Sequence, residues 1–229
     1  MAAVSLLCLA GCGDFPSVSE DPGPISDAAE LTGAPGSSPL RAPEPVSSIS
    51  PATSAGPVLY DDAFVVEEGV WYLADGQDYP SLNGTHRGQV NGLLGAGAKR
   101  GVWISGPALY GKYAVRIVAN EHEPHMPAWC EDAVEVSYAF TQGSITMGSF
   151  ETWTDLLPLA AGTYRIRYCV SGHDVAAAET AEDEFDGDDY RLYSSRHLFQ
   201  LWPAPAARDE VLREGSDFAR AENARVQRG

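Results

Sequence analysis

Two short segments of the chain carry enough carboxylate and imidazole groups to suggest metal chemistry. In residues 182–189, EDEFDGDD, the side chains best suited to bind calcium are Glu182, Asp186, Asp188 and Asp189. Calcium prefers oxygen-rich loops, but the spacing of an EF-hand is not met and no glutamate closes the loop. Three alternatives stay open for this segment: a calcium site, a solvated loop, or an acidic docking surface.

The second segment is EHEPH at residues 121–125, which brings together His122, Glu123 and His125. A zinc site needs three or four ligands in a defined geometry, and the H-x-x-H pattern supplies only two of them. The proline predicts a loop rather than a helical face that would align the imidazoles. This pattern favours a solvated loop, with a metal site as the lesser alternative. No cofactor is predicted for the chain apart from the calcium alternative at residues 182–189.

Aromatic residues offer a different kind of binding site. Most of the five tryptophans are predicted to lie in the core. Trp129 shares the polar parity of its predicted strand, so it is expected to be exposed and is a candidate ligand-binding residue, for instance as a platform for a sugar. Motifs of the nucleophile-elbow type do not occur, which makes a hydrolase the last of the functions considered.

The elements that would position these residues are strands. Residues 128–140 and 163–170 alternate apolar and polar side chains, and this period of two predicts strands with one buried face and one solvated face. If the two strands pair, Glu131 and Glu135 would face Arg165 and Arg167 across the solvated face. Weaker strand patterns span 63–67, 70–73, 101–105, 113–119, 144–150 and 190–202.

The spacing of these strands predicts a mainly β fold, an antiparallel β-sandwich, over residues 58–205. Residues 206–229 are rich in charge and alanine, which predicts a short C-terminal helical or disordered tail. Residues 12–57 contain many prolines and few large apolar side chains, so a disordered tether with a reach of roughly 35–40 Å is expected.

Cys130 and Cys169 lie on the two clearest strands, and an exported protein permits a disulfide between them. Closing a loop of this length would stabilise the fold by about 4 kcal/mol in the chain-entropy view. Parity argues against the pairing, because Cys130 shares parity with apolar residues and Cys169 shares parity with the arginines. A disulfide and two separate thiols both remain open.

The formal charge of the 229-residue chain is −17, and residues 58–205 hold most of it. Such acidity disfavours direct binding to nucleic acid, since phosphate backbones would be repelled. It is compatible with cation binding or with a basic protein partner.

Leu9-Ala10-Gly11-Cys12 follows a short apolar stretch and resembles the lipobox of bacterial lipoproteins. The resemblance implies that Cys12 carries the lipid, that residues 1–11 are the remnant of a signal peptide, and that the protein is anchored on the extracytoplasmic face of the cell membrane. No basic residue precedes Cys12, so we expect the true start to lie upstream.

Three stretches, WCEDAVEVSYAF, LAAGTYRIRYC and HLFQLWPAP, resemble a group of uncharacterised proteins of high-GC bacteria. YDDAFVVEEG and VWISG are more loosely similar to the competence protein J family of nuclease inhibitors. The resemblance implies a non-enzymatic β domain that binds a protein partner, in its sharpest form a basic nuclease, and it transfers no site residues. The alternatives are an envelope module that binds carbohydrate or calcium and, last, a hydrolase.

Overall fold

A computed structural model describes residues 56–182 and 190–228 of the chain as two β-sheets with two helices. The strands are β1 (Val58–Val66), β2 (Trp71–Asp75), β3 (Leu94–Gly95), β4 (Gly101–Ile104), β5 (Gly111–Ala119), β6 (Asp132–Phe140), β7 (Ser144–Gly148), β8 (Leu157–Pro158), β9 (Gly162–Ser171), β10 (Leu192–Pro203) and β11 (Glu210–Glu214). The helices are α1 (His173–Glu182) and α2 (Asp217–Gln227), and neither has the length and apolar character needed to cross a membrane. The prediction of a mainly β sandwich is confirmed.

One sheet has six strands in the order β1-β5-β10-β9-β6-β11, and the other has five in the order β3-β4-β2-β7-β8. Neighbouring strands are antiparallel except β5 and β10, which run parallel. The main core fills the space between the sheets, with residues such as Trp71, Tyr113, Tyr168 and Phe199 fully buried. The predicted pairing of the two clearest strands, β6 and β9, is also confirmed.

At β6 and β9 the second face of the six-stranded sheet is buried as well, so the prediction of a solvated face on these two strands is wrong. Arg165 and Arg167 are each only 4% exposed, and Glu135 is 7% exposed. The reason is topological: β5 and β6 are separated by β10 and β9, so the chain between them crosses this face. We call residues 120–131, which make this crossing, the crossover loop.

Glu135 joins the two buried arginines. Its carboxylate accepts from Arg165 Nε at 2.8 Å and from Arg167 Nε at 2.7 Å. Each guanidinium then donates to a backbone carbonyl above the sheet: Arg167 to Pro124 in the crossover loop at 2.7 Å, and Arg165 to Arg208 in the C-terminal segment at 2.6 Å. The polar stripe read from the sequence is therefore an ion cluster that holds two covering segments. The predicted part for Glu131 is not found, since its carboxylate accepts from the Gly172 backbone.

The disulfide between Cys130 and Cys169 is present, with a Cα–Cα distance of 5.2 Å. The parity objection does not apply, because Cys130 precedes β6 and belongs to the crossover loop. The loop passes over the face on which Cys169 lies, and the two cysteines pack there with Val118, Ala133 and Leu198. The bond therefore fixes the crossover loop to the sheet.

The predicted C-terminal helix is present but shorter, and β11 precedes it. Ser216 caps α2, with its hydroxyl accepting from Ala219 N–H at 3.0 Å. The carboxylate of Asp174, in α1, accepts from the backbone N–H groups of Asp217 and Phe218, both at 2.9 Å. These contacts dock α2 against α1.

We expect Glu135→Gln to lower the free energy of unfolding by about 3–5 kcal/mol, because it leaves two buried guanidinium groups without their shared charge partner. Glu210→Gln is the matched control. Its carboxylate also accepts from Arg165, at 3.1 Å, but is 58% exposed, so its loss should cost less than about 1 kcal/mol. Urea denaturation measures both variants, and equal losses would show that Glu135 has no special role.

Candidate protein-interaction surface

The connection between β7 and β8 exposes an unusual amount of apolar surface. Residues 149–156, which we call the aromatic–acidic segment, include Phe150, Trp153 and Leu156, which are 55%, 37% and 50% exposed. Glu151 and Asp155 lie between them and are also exposed. Large apolar side chains grouped at a surface and bordered by charge are typical of interaction sites.

The aromatic–acidic segment is held in one conformation by Ser149, which is fully buried. Its hydroxyl donates to the Val70 carbonyl at 2.7 Å and accepts from the Glu67 N–H at 2.7 Å. Its own N–H donates to the Thr152 carbonyl at 2.7 Å and closes a tight turn. The start of the segment is therefore fixed to the connection between β1 and β2.

Two further contacts fix the rest of the segment. Thr154 and Met147 bond twice, from Thr154 N–H to the Met147 carbonyl at 2.9 Å and from Met147 N–H to the Thr154 hydroxyl at 3.0 Å. The Glu67 carboxylate accepts from the Glu151 N–H at 3.0 Å. A loop ordered in advance loses little conformational entropy on binding, which favours affinity.

Trp153 also belongs to a cluster of four aromatic rings on the outer face of the five-stranded sheet. Tyr72 lies at its centre, with ring centroids 5.0 Å from Tyr79, 5.2 Å from Trp103 and 5.3 Å from Trp153. Gly148 makes room for it, because a Cβ there would lie 2.5 Å from the Tyr72 ring.

The polar ends of the inner rings are already bound. Tyr72 donates to the Ser149 carbonyl at 3.0 Å, and Trp103 Nε1 donates to the Ser81 carbonyl at 2.9 Å. Burial, with a smaller effect of Tyr79, raises the pKa of the Tyr72 hydroxyl well above its usual value, so it stays neutral. Tyr79, 43% exposed, and Trp153 are the members of the cluster that present surface to solvent.

A groove of about 290 Å³ lies between β1 and the aromatic–acidic segment. Its aromatic walls come from Tyr60, Phe64 and Trp153, and Asp155 supplies a carboxylate. Lysine and arginine do not occur among the lining residues, which are Tyr60, Ala63, Phe64, Val65, Thr152, Trp153, Thr154, Asp155 and Leu157. The groove is therefore suited to a cationic or apolar group and unsuited to an anion.

Trp129 is half-buried in the crossover loop rather than fully exposed. The guanidinium of Arg196 lies 4.4 Å from the centroid of its ring. This cation–π contact occupies one face of the ring. A ligand-binding role for Trp129 remains a prediction.

The predicted calcium ligands and the predicted lipidation site fall outside this description. Asp186, Asp188, Asp189 and Cys12 lie outside the described residues, and Glu182 ends α1 with its side chain not described. In residues 56–182 and 190–228, no group of three or more His, Cys, Asp or Glu side chains is arranged to hold a metal ion. Within the EHEPH segment, Glu123 instead pairs with Arg167 at 2.9 Å.

Histidine, serine and aspartate side chains, which are common in catalytic sites, take part in two buried groups. In the first, Asp132 accepts from His173 Nδ1 at 2.8 Å and from the Ser216 hydroxyl at 2.6 Å. Burial by itself would raise the pKa of Asp132, but the hydrogen bonds from His173 and Ser216 outweigh it and lower the pKa. All three residues are fully buried, so this group joins β6, α1 and α2 and is closed to a substrate.

The second buried group is centred on His197. Its Nε2 lies 2.9 Å from the Ser195 hydroxyl, and its Nδ1 lies 2.7 Å from the Tyr168 hydroxyl. Burial, with a smaller effect of His173, lowers the pKa of His197 well below its usual value. His197 is 2% exposed and Ser195 is 1% exposed, so this serine–histidine pair is also closed to a substrate.

Comparisons with known proteins add a loose structural likeness. No family model and no curated protein matches the sequence. The fold is similar to the crystal structure of ComJ from Bacillus subtilis, described as an inhibitor of the DNA degrading activity of NucA, at 11% identity and a TM-score of 0.47. That match covers 65% of this chain and 98% of ComJ.

A second similar structure is that of Crocagin biosynthetic gene J, at 14% identity and a TM-score of 0.35. It covers 63% of this chain and 97% of the other chain. Values this low describe a loose resemblance in fold and no more.

Sequence reasoning missed the aromatic–acidic segment. It ended a strand at residue 150 and placed most tryptophans in the core. Trp71, Trp103 and Trp202 are indeed buried, whereas Trp153 is partly exposed. A usable signal was present in FETWTDL, where large apolar residues alternate with acids. Because Pro158 follows closely, this segment cannot continue as a long strand, and the pattern therefore indicates an exposed loop.

The core histidine makes the stability of the fold depend on pH. Because the pKa of His197 is lower in the folded chain than in the unfolded chain, its contribution is complete above about pH 6.5. Below that value we expect it to fall by about 1.4 kcal/mol per pH unit. Tyr168→Phe/His197→Phe should lose this component of the pH dependence, whereas Tyr168→Phe alone should keep it.

Urea denaturation at several values between pH 5 and 7.5 measures this dependence. His86, whose pKa burial and Arg225 also lower, contributes equally in all three proteins and cancels from the comparison. A double variant with the same pH slope as the Tyr168→Phe control would rule out His197 as the source.

Proposed function

We propose that this domain is a non-enzymatic protein-binding module that docks a basic protein partner through the aromatic–acidic segment. The main support is that Phe150, Trp153 and Leu156 are exposed together on a loop that buried Ser149 fixes in place. Tryptophan and other large side chains on ordered surfaces supply most of the binding energy in protein interfaces.

Charge supports a basic partner. The whole chain carries −17, and Glu151 and Asp155 alternate with the apolar residues of the aromatic–acidic segment. An acidic surface accelerates encounter with a basic protein and disfavours acidic partners. It also repels phosphate, so the partner is a protein rather than a nucleic acid.

A nuclease is the sharpest form of this proposal. Proteins that hold nucleic acid carry basic surfaces in order to neutralise phosphates. An acidic module that covers such a surface would compete with the nucleic acid for the same cationic side chains. We therefore propose a role like that of a nuclease inhibitor.

To test the module, wild-type full chain is immobilised and exposed to envelope extract of the source organism at low salt, then eluted at high salt. We expect a basic protein to be retained. In calorimetry, this partner, once purified, should bind the Trp153→Ala/Leu156→Ser variant at least about tenfold more weakly than it binds the wild type. The matched control is Leu192→Ser, which removes an exposed leucine from β10 and should leave affinity unchanged. For the nuclease form, the wild type should slow DNA cleavage by the retained protein.

Retention of polysaccharide alone would replace this proposal with the carbohydrate-binding alternative. Equal affinity of wild type and the Trp153/Leu156 double variant would remove the aromatic–acidic segment from the interface. A retained protein without nuclease activity would remove the inhibitor form and leave the protein-binding form.

We also propose that the module is anchored through a lipid on Cys12 at the extracytoplasmic face of the membrane. The support is in the sequence: a lipobox-like LAGC followed by a segment rich in proline. Expression in a bacterial host with labelled palmitate should label the wild-type chain and leave Cys12→Ser unlabelled, with Cys8→Ser as the matched control. Equal labelling of wild type and Cys12→Ser would exclude the anchor.

A further inference from the structure

The groove between β1 and the aromatic–acidic segment has the size of a site for one side chain. Its volume of about 290 Å³ is at the lower end of ligand pockets, which span about 300–1,000 Å³. A long side chain from a partner fits such a space better than a folded segment or a whole cofactor does.

The chemistry of the walls selects a cation. Asp155 lines the groove, and within the described part of the chain its carboxylate has no hydrogen bond or ion pair. Trp153 and Tyr60 add aromatic surface, and the hydroxyl-bearing Thr152 completes a wall that contains no base. A planar guanidinium stacks on aromatic rings and pairs with a carboxylate, which an ammonium group does less well.

A second carboxylate belongs to Asp62, the neighbour in sequence of the lining residue Ala63. Asp62 on β1 accepts the N–H of the lining residue Ala63 at 2.7 Å and is exposed. On the neighbouring strand, Arg116 is already paired with Asp61 at 2.8 Å. The local charge at the groove is therefore negative.

The edge of β1 disfavours a different mode, in which a partner adds a strand to the sheet. At Ala63, the middle of this edge, the backbone is already bound by side chains of β1 itself. Its N–H donates to Asp62, and its carbonyl accepts from the Tyr60 hydroxyl at 3.0 Å. An added strand would have to displace both groups, whereas an inserted side chain displaces neither.

We infer that this groove binds a single arginine side chain of the basic partner, held between Trp153 and Tyr60 with its guanidinium on Asp155. The inference rests on the proposed function and specifies how that partner is recognised. It can fail while the protein-binding function stands, because the side chain can be tested without the partner.

The test uses the full chain and Nα-acetyl-arginine N-methylamide as probe. The probe is titrated while the indole N–H signal of Trp153, assigned by its loss in Trp153→Phe, is followed by NMR. The citrulline analogue is the neutral control of nearly equal shape, and the lysine analogue tests the preference for a guanidinium. We expect a saturable shift with the arginine probe, a weaker one with lysine and the weakest with citrulline.

Asp155→Asn should lower the affinity for the arginine probe about three- to fivefold, the range expected for an ion pair combined with stacking at a partly exposed site. Glu151→Gln is the matched control, because it removes the same charge from the same segment but does not line the groove. Its affinity for the probe should stay at the wild-type value.

Equal shifts with arginine and citrulline, no shift with either, or equal weakening by Asp155→Asn and Glu151→Gln would each overturn the arginine site. Partner protein that binds Asp155→Asn as tightly as wild type would overturn it too. In all these cases the protein-binding function is judged separately, by the Trp153→Ala/Leu156→Ser variant and its retained partner.

Discussion

The arrangement of this domain depends on one carboxylate shared by two buried arginines. Glu135 on β6 binds Arg165 and Arg167 on β9, and each arginine also holds a backbone carbonyl of a segment that crosses the sheet. Charges buried this deeply are tolerated only when paired and fully hydrogen-bonded, so the covering segments and the ion cluster require each other. Arg167 also lies 5.1 Å from the Trp202 ring centroid, which adds packing beneath the crossover loop. The disulfide from Cys130 to Cys169 fixes the same loop covalently.

Closing that face determines where the domain can meet a partner. The six-stranded sheet is packed on one side, and at β6 and β9 it is covered on the other. The aromatic–acidic segment instead lies at the end of the five-stranded sheet, where Phe150, Trp153 and Leu156 remain exposed. Buried Ser149 holds it rigid, and the adjoining groove lacks basic side chains. Rigidity, exposed apolar area and negative charge thus coincide at one place, which is the physical basis for proposing a basic protein partner.

Strands with clear alternation could be predicted, and β6 and β9 were found paired as expected. The two-residue strands β3 and β8 were missed, because so short a pairing depends on neighbouring strands rather than on a local pattern. The helix α1 was missed because its alanine-rich sequence carries almost no amphipathic signal. The alternation of apolar and polar residues also assigned the polar face of β9 wrongly to solvent. Arginines that pair beneath a covering loop have the same spacing in the sequence as arginines that face water.

By itself, the sequence determined the class of the fold and the strong negative charge of the chain, whereas it left open whether Cys130 and Cys169 are bonded. These follow from composition and local periodicity, which act over a few residues. The tertiary structure alone decided which of the tryptophans became surface. Trp71 and Trp153 are both flanked by strand-like residues, yet Trp71 is fully buried and Trp153 is 37% exposed. The difference arises because burial depends on contacts between distant parts of the chain. Ser149 bonded to Val70, and Tyr72 packed on Trp153, are such contacts.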